Sequence, residues 1–268
     1  MSTNVLEDEI PCHSVIGFPV HALKFEAQVA LMLQWAKERL SKVVCIANVH
    51  MLVEAHKNPA FASVLREADL VTPDGMPLVW MLRRLGVPDQ DRVAGLDVLL
   101  ALCKLAPQQN TSVFFLGSEK SVLERIRSKL EHEFPMLQIA GMEPLPFRSI
   151  TEQEDEQIIN QVNESGAGLV LVCLGCPKQE FWMSKHKHRI HAVMVGLGGA
   201  FPVYAGIHKR APSLIRSIGF EWLYRLVQEP RRLWGRYSTT IPPFIWLSLK
   251  QLLLRKNPSS QGISENAG

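Results

Sequence analysis

The feature that most constrains this chain is a series of short, uninterrupted apolar runs: VVCIA (43–47), DLVT (69–72), VFFLG (113–117), LQIAG (137–141), LVLVCLG (169–175) and AVMVG (192–196). A strand with one wet face alternates apolar and polar residues. Continuous Val/Ile/Leu runs instead fit strands covered on both faces, as in a parallel sheet. Helix-like segments separate the runs, among them one with Phe25, Val29, Met32 and Ala36 on a single face and another from Glu119 to Glu133. Strand–helix alternation of this kind predicts an α/β layered domain with right-handed crossovers. We take residues 1–205 as that core, 206–256 as a helical appendage and 257–268 as a disordered tail.

The charge is unevenly placed. Residues 206–237 carry seven Lys or Arg against two acids, a local balance of +5, whereas residues 1–205 sum to −4 and the whole chain to +3. Polarisation toward one end suggests an anionic partner there, and a solvated helix face accounts for the same residues. Trp222, Tyr224, Trp234 and Tyr237 interrupt the charge, so the segment joins cations to apolar surface. Past Tyr237, Pro242-Pro243 predicts a break, followed by a short segment with Ser248, Gln251 and Arg255 on one face. Two placements stay open for it: docking on the domain or a partner subunit, or lying in a membrane interface with Phe244 and Trp246 inserted. No run reaches the ~18 apolar residues of a membrane span. The N-terminus lacks a secretory signal pattern, and five scattered cysteines fit a reducing compartment, so a cytoplasmic location is expected.

In open α/β sheets, ligands gather beyond the carboxyl ends of the strands. Three such loops carry chemistry. Asp74 follows DLVT at a tight turn, where its carboxylate could accept a proton or cap the helix beginning near Met76-Pro77. Lys178, Gln179 and Glu180 follow LVLVCLG and set an ammonium, an amide and a carboxylate at a helix start, where capping is the simpler role. Gly198 and Gly199 belong to a glycine-rich turn after AVMVG that could offer backbone N–H groups to phosphate. This turn departs from the dinucleotide fingerprint because Phe201 stands at the third glycine position. That departure weighs against a nucleotide-dependent oxidoreductase. Two patterns imitate metal sites, Cys173/Cys176 with His186, His188 and His191, and Asp89-Gln90-Asp91; a cysteine inside a buried strand with a short cysteine-to-histidine interval discounts the first, and an ordinary loop after Pro88 accounts for the second.

Taken in order, Asn48, TPDGMPLVW, RVAGLD, FFLGS, LGCPKQEFW, GLGGAF, RAP and EWLYRL..EPRRLWGRY resemble one family over residues 14–240, the bacterial WecG/TagA/CpsF glycosyltransferases. The resemblance implies a Rossmann-like core and a membrane-associating C-terminal appendage that completes the active site. It implies inverting transfer from a UDP-sugar to a sugar on undecaprenyl pyrophosphate, at the cytoplasmic face of the inner leaflet, with no nucleic-acid partner. By motif position Asp74 corresponds to the catalytic base. Asn48, Arg92 and Gln179 fall on pocket positions, and the appendage arginines, with Arg210, Arg225, Arg231 and Arg232 among them, on positions that meet phosphate. Ala47 stands where the family often has threonine, which removes a hydroxyl and bears on donor preference. No metal cofactor is expected, because arginines and backbone amides can take the leaving-group charge. A basic, aromatic module docking on anionic lipid remains a non-enzymatic alternative. The donor sugar and a homo-oligomeric state stay open.

Overall fold

The computed structural model describes residues 10–146, 148 and 150–256. A hairpin opens the chain, β1 (Cys12–Val15) and β2 (Phe18–His21), turning through Ile16 and Gly17 at positive φ. The six apolar runs all become strands: β3 (Lys42–Ala47), β4 (Leu70–Pro73), β5 (Val113–Gly117), β6 (Ile139–Glu143), β7 (Leu169–Cys173) and β8 (Val193–Gly196). They form one parallel sheet in the order β4-β3-β8-β7-β5-β6. Helix α1 (Phe25–Lys37) precedes β3, while α2 (Val49–Lys57) and α3 (Pro59–Glu67) join β3 to β4. Helices α4 (Met76–Arg84) and α5 (Gly95–Leu105) join β4 to β5. Single helices α6 (Lys120–Glu133), α7 (Glu152–Glu164) and α8 (Lys178–His186) supply the remaining crossovers. Helices α9 (Ala200–Tyr204), α10 (Ser213–Ser217), α11 (Glu221–Gln228) and α12 (Pro230–Lys256) complete the described chain.

Successive residues of the inner strands feed opposite cores, which is why those runs read as continuous. Val43, Cys45, Ala47, Val170, Val172 and Met194 pack on one face with α2, α3, α7 and α8. Val44, Ile46, Leu169, Leu171, Val193 and Val195 pack on the other with α1, α5 and α6. The edge strand β6 differs from expectation: it starts two residues later than the LQIAG run and is half-buried throughout, since an edge position lacks a second neighbour. The hairpin escaped the sequence reading, although alternating apolar residues about a two-residue turn with Gly17 are its signature. It meets the opposite edge strand, where His21 Nδ1 accepts from Val71 N–H at 2.8 Å and covers a donor that would otherwise invite pairing.

The expected break at Pro242-Pro243 does not occur: α12 is continuous for 27 residues. The two prolines leave the carbonyls of Ser238 and Thr239 without their usual helical donors. Lys57 Nζ from α2 takes Thr239 O at 3.2 Å, while the hydroxyls of Thr239 and Thr240 bond back to the preceding turn at 2.8 Å. Tertiary packing holds the helix as well, with Leu233 and Phe244 buried against the core. Of the polar stripe in the last turns, Ser248 and Gln251 face inward and Arg255 is exposed. Ser248 is buried, and Gln251 bridges the hairpin, accepting from Ile16 N at 2.7 Å and donating to Ser14 O at 2.6 Å. Docking on the domain therefore describes this face, and Phe244 belongs to the core rather than to an inserted edge. The outward face carries Trp246, Leu253 and Leu254, each more than 60% exposed. The expected disordered tail, 257–268, lies outside the described residues.

Candidate active site

A cleft of about 810 Å³ opens at the carboxyl ends of β3, β4, β7 and β8, roofed by α11 and α12. The strand order brings these four ends together although their loops are up to 150 residues apart in sequence, the arrangement in which α/β folds bind ligands. Asn48, Asp74, Arg92, Gln179, Gly198, Gly199, Arg210, Arg225 and Arg232 all line it.

Asp74 closes β4 with its N–H bonded to Ala47 O at 2.7 Å. The helix that follows is capped without it: the N-cap of α4 is Gly75, at φ +93°, a conformation that costs glycine little. The capping role open to Asp74 is thus not used, and its carboxylate is left to the cleft. It is half-buried in the cleft wall. Burial pushes its pKa up to about 7; Arg92 and Arg225 pull it down, and Glu221 and Asp97 push it further up.

Arg92 pairs with Glu221, the first residue of α11, and stands 3.8 Å from Asp97. Asp97 also receives Arg210 and lies 3.9 Å from Arg216. Two carboxylates thus sit among three arginines at the mouth, so Arg92 and Arg210 are held by protein anions rather than exposed to solvent.

Behind the mouth, Gln179 is buried with both ends of its amide engaged. Oε1 accepts from Gly175 N at 3.2 Å and Nε2 donates to Glu180 Oε1 at 2.7 Å. Glycines at 196 and 198 make room for it: a Cβ at Gly196 would lie 2.8 Å from Nε2, and one at Gly198 3.0 Å from Oε1. Glu180 is fully buried beneath Gln179, with its pKa raised by burial to about 7, and therefore supports the amide instead of meeting a ligand. Lys178 points to solvent and does not line the cleft. Asn48 faces the cleft and caps α2, its Oδ1 accepting from Met51 N at 3.1 Å. The Gly198 N–H is spent on Val172 O at 3.2 Å, so the anticipated phosphate cradle lacks that donor. Gly199 instead lies against the guanidinium of Arg225.

On the roof, Arg232 and Arg236 share one face of α12 at i and i+4, whereas Arg231, one position off, is exposed and outside the cleft. Arg232 Nε is held by Glu229 Oε2 at 2.5 Å; Arg225 and Arg236 form no ion pair among the described residues. Arg236 belongs to the appendage arginines expected to meet phosphate, and its place one turn after Arg232 puts both on the cleft side. Sequence reasoning gave no site role to Glu221 or His50. His50 lines the cleft with Nδ1 unpartnered and its pKa lowered to about 4 by burial and by the charges of Arg236 and Lys57, which leaves the ring neutral.

The metal-like patterns have structural uses. Asp91 accepts from Phe25 N–H at the start of α1 at 3.1 and 3.2 Å, and Gln90 Nε2 ties Leu23 O at 2.8 Å. Cys173 Sγ donates to Gly198 O at 3.1 Å. Buried His186 bonds Trp182 O at 2.6 Å and Asp155 Oδ2 at 3.0 Å.

The sequence model of the glycosyl transferase WecG/TagA/CpsF family matches residues 13–258. The chain belongs to this family. The match runs past Tyr237 to include all of α12, so roof and core form one family unit. A protein of Bacillus spizizenii (strain ATCC 23059 / NRRL B-14472 / W23) named N-acetylglucosaminyldiphosphoundecaprenol N-acetyl-beta-D-mannosaminyltransferase is 34% identical over 220 residues, covering 82% of this chain and 83% of its own length. A protein of the same name in Bacillus subtilis (strain 168) is 32% identical over 215 residues, covering 80% and 81%. This WecG/TagA/CpsF member is a glycosyltransferase, and the oxidoreductase and non-enzymatic readings fall away. Phe201, at the position where a dinucleotide site needs glycine, is fully buried in the core.

Proposed function

We propose that this glycosyltransferase moves an N-acetylmannosamine-type sugar from a UDP donor to a sugar carried on a polyprenyl diphosphate, with inversion. The reading is carried by one observation: a carboxylate at the end of β4, uncommitted to any helix cap and with its pKa near 7, faces a cleft ringed by arginines. In a single displacement the ionised Asp74 takes the proton of the acceptor hydroxyl. The hydroxyl oxygen bonds to the anomeric carbon while the bond from that carbon to the UDP oxygen breaks and its electron pair leaves with UDP. A base near the working pH is the most effective in this role. Arg225, free of ion pairs among the described residues and lying against Gly199 near Asp74, is placed to meet the charge of the departing UDP, while Arg236, also unpaired, and Arg232, which can exchange Glu229, are placed to meet the diphosphate of the acceptor. With guanidinium groups in that role the reaction needs no metal cofactor.

The relatives' names supply the sugar and acceptor classes, and the exposed Trp234, Trp246 and Leu254 give the roof an apolar outer face suited to the membrane that holds such an acceptor. No helix among the described residues is long and apolar enough to cross a membrane. Residues 206–256 are in this reading a cover that carries the site to a cytoplasmic membrane surface, and no oligomer is needed. Incubation with a panel of UDP-sugars and a lipid-diphosphate N-acetylglucosamine acceptor, with and without chelator, tests it. The expected product is a β-linked disaccharide lipid formed with chelator present; retention at the anomeric centre, or loss of turnover on chelation, would overturn the mechanism.

A further inference from the structure

The cleft continues beyond its charged groups. Along α12 its lining passes from Arg232 and Arg236 to apolar side chains, and α4 lines the same cleft. Ile241, Ile245, Leu249 and Leu252 line the α12 wall at i, i+4, i+8 and i+11, one continuous stripe. Met76 and Trp80 line the cleft from α4, with Arg84 one turn beyond Trp80. Ile245 and Leu249 are more than half exposed, and Trp80 nearly so, although they border a concavity. From Thr240 to Leu252 the stripe extends ~18 Å along the helix. Arg236 precedes Thr240 by one turn and marks the point where charge gives way to hydrocarbon. Its carbonyl takes the Thr240 hydroxyl at 2.8 Å, which removes that polar group from the groove wall.

We propose that this groove receives the first isoprene units of the lipid carrier, lifted out of the bilayer while the diphosphate rests on Arg232 and Arg236. The inference rests on the polyprenyl diphosphate acceptor proposed above and adds a binding site for its chain. Order along α12 selects the occupant: two cations, then an apolar stripe, matching a diphosphate followed by hydrocarbon. A second sugar or a nucleoside would need several hydrogen-bonding groups along the trough, where Ile, Leu, Met and Trp predominate. Continuity of the trough with the cation cluster also separates it from the outer face of α12, whose Trp246 and Leu253 are turned away from the cleft.

The test compares acceptors bearing the same sugar diphosphate on a short alkyl chain and on several isoprene units, without vesicles. In the wild type the longer chain lowers KM about ten-fold or more, as expected for apolar surface removed from water. Ile245→Asn and Leu249→Asn flatten that dependence, while Leu254→Asn, on the outer face, retains it. Melting curves confirm that the variants are folded. A wild-type KM indifferent to chain length overturns the groove, as does equal flattening by Leu254→Asn, which would assign the chain to the outer surface. A groove variant that flattens nothing but dissociates a dimer would assign the trough to a second copy of this chain. Turnover without chain dependence sinks the groove alone; absence of turnover on every acceptor sinks the acceptor reading and the groove with it.

Discussion

Arg92 donates from Nη1 to Oε2 of Glu221, and this pair joins the loop ahead of α5 to the first residue of α11 next to Asp74. One ion pair therefore does two things. It fastens the roof to the α/β core, and it sets the field at the carboxylate, because Arg92 lowers and Glu221 raises the pKa of Asp74.

Glu221→Gln should move the acidic limb of kcat/KM to lower pH. Removing the Glu221 charge deletes a cause that raises the Asp74 pKa, and it frees Arg92 to lower it further; both effects have the same sign. A limb that stays in place or moves upward in a pH–rate profile would show that the pair does not tune the base.

Asp74→Asn should lower kcat by ~10²–10⁴-fold, the usual contribution of a general base, with UDP affinity little changed by calorimetry. In the wild type, kcat/KM should rise with pH through about 7 and then level off, since the base works ionised. Turnover preserved in the variant would remove Asp74 from the mechanism.

The same substitution should stabilise the fold at alkaline pH. The folded pKa of Asp74 lies above that of an unfolded aspartate, so its ionisation costs folding free energy that is absent below about pH 3.8 and grows until pH passes about 7. The melting temperature of Asp74→Asn relative to wild type should therefore be higher at pH 8 than at pH 5, by roughly 2–4 °C for each kcal/mol recovered. Equal differences at the two pH values would mean that the carboxylate is not desolvated.

Gln251→Ala should loosen the end of α12. The side chain satisfies a donor and an acceptor of the β1–β2 hairpin, each bond worth about 1 kcal/mol. Faster amide exchange in residues 245–256, with little change in the sheet, is the expected signature. Unchanged exchange would show that Phe244 and Leu233 anchor the helix unaided.

Much of the core was legible because its cause is local. Val43 to Ala47 and Leu169 to Cys173 read as strands covered on both faces, and both are. The hairpin was missed because four-residue strands give a weak pattern, and its stability comes from His21 and Gln251 reaching distant elements. Pro242-Pro243 misled for a related reason: propensity registers the lost N–H groups but not the Lys57 ammonium that takes Thr239 O. At the site, motif positions brought Asp74, Arg92 and Gln179 to one cleft, whereas Lys178 and Arg231 fell outside it because a single residue's rotation on a helix turns a side chain to solvent.

The sequence by itself determined the strands, the α/β class and the family, since hydrophobic period and motif order are properties of short stretches. Tertiary structure alone decided that Asp74 is not a helix cap, that Glu180 supports Gln179 from below, and that α12 turns Ser248 and Gln251 inward. Each of these depends on groups far apart in the chain. A carboxylate's pKa follows from what surrounds it, and a helix's orientation from which face finds partners, and neither is encoded in the residue's immediate neighbours.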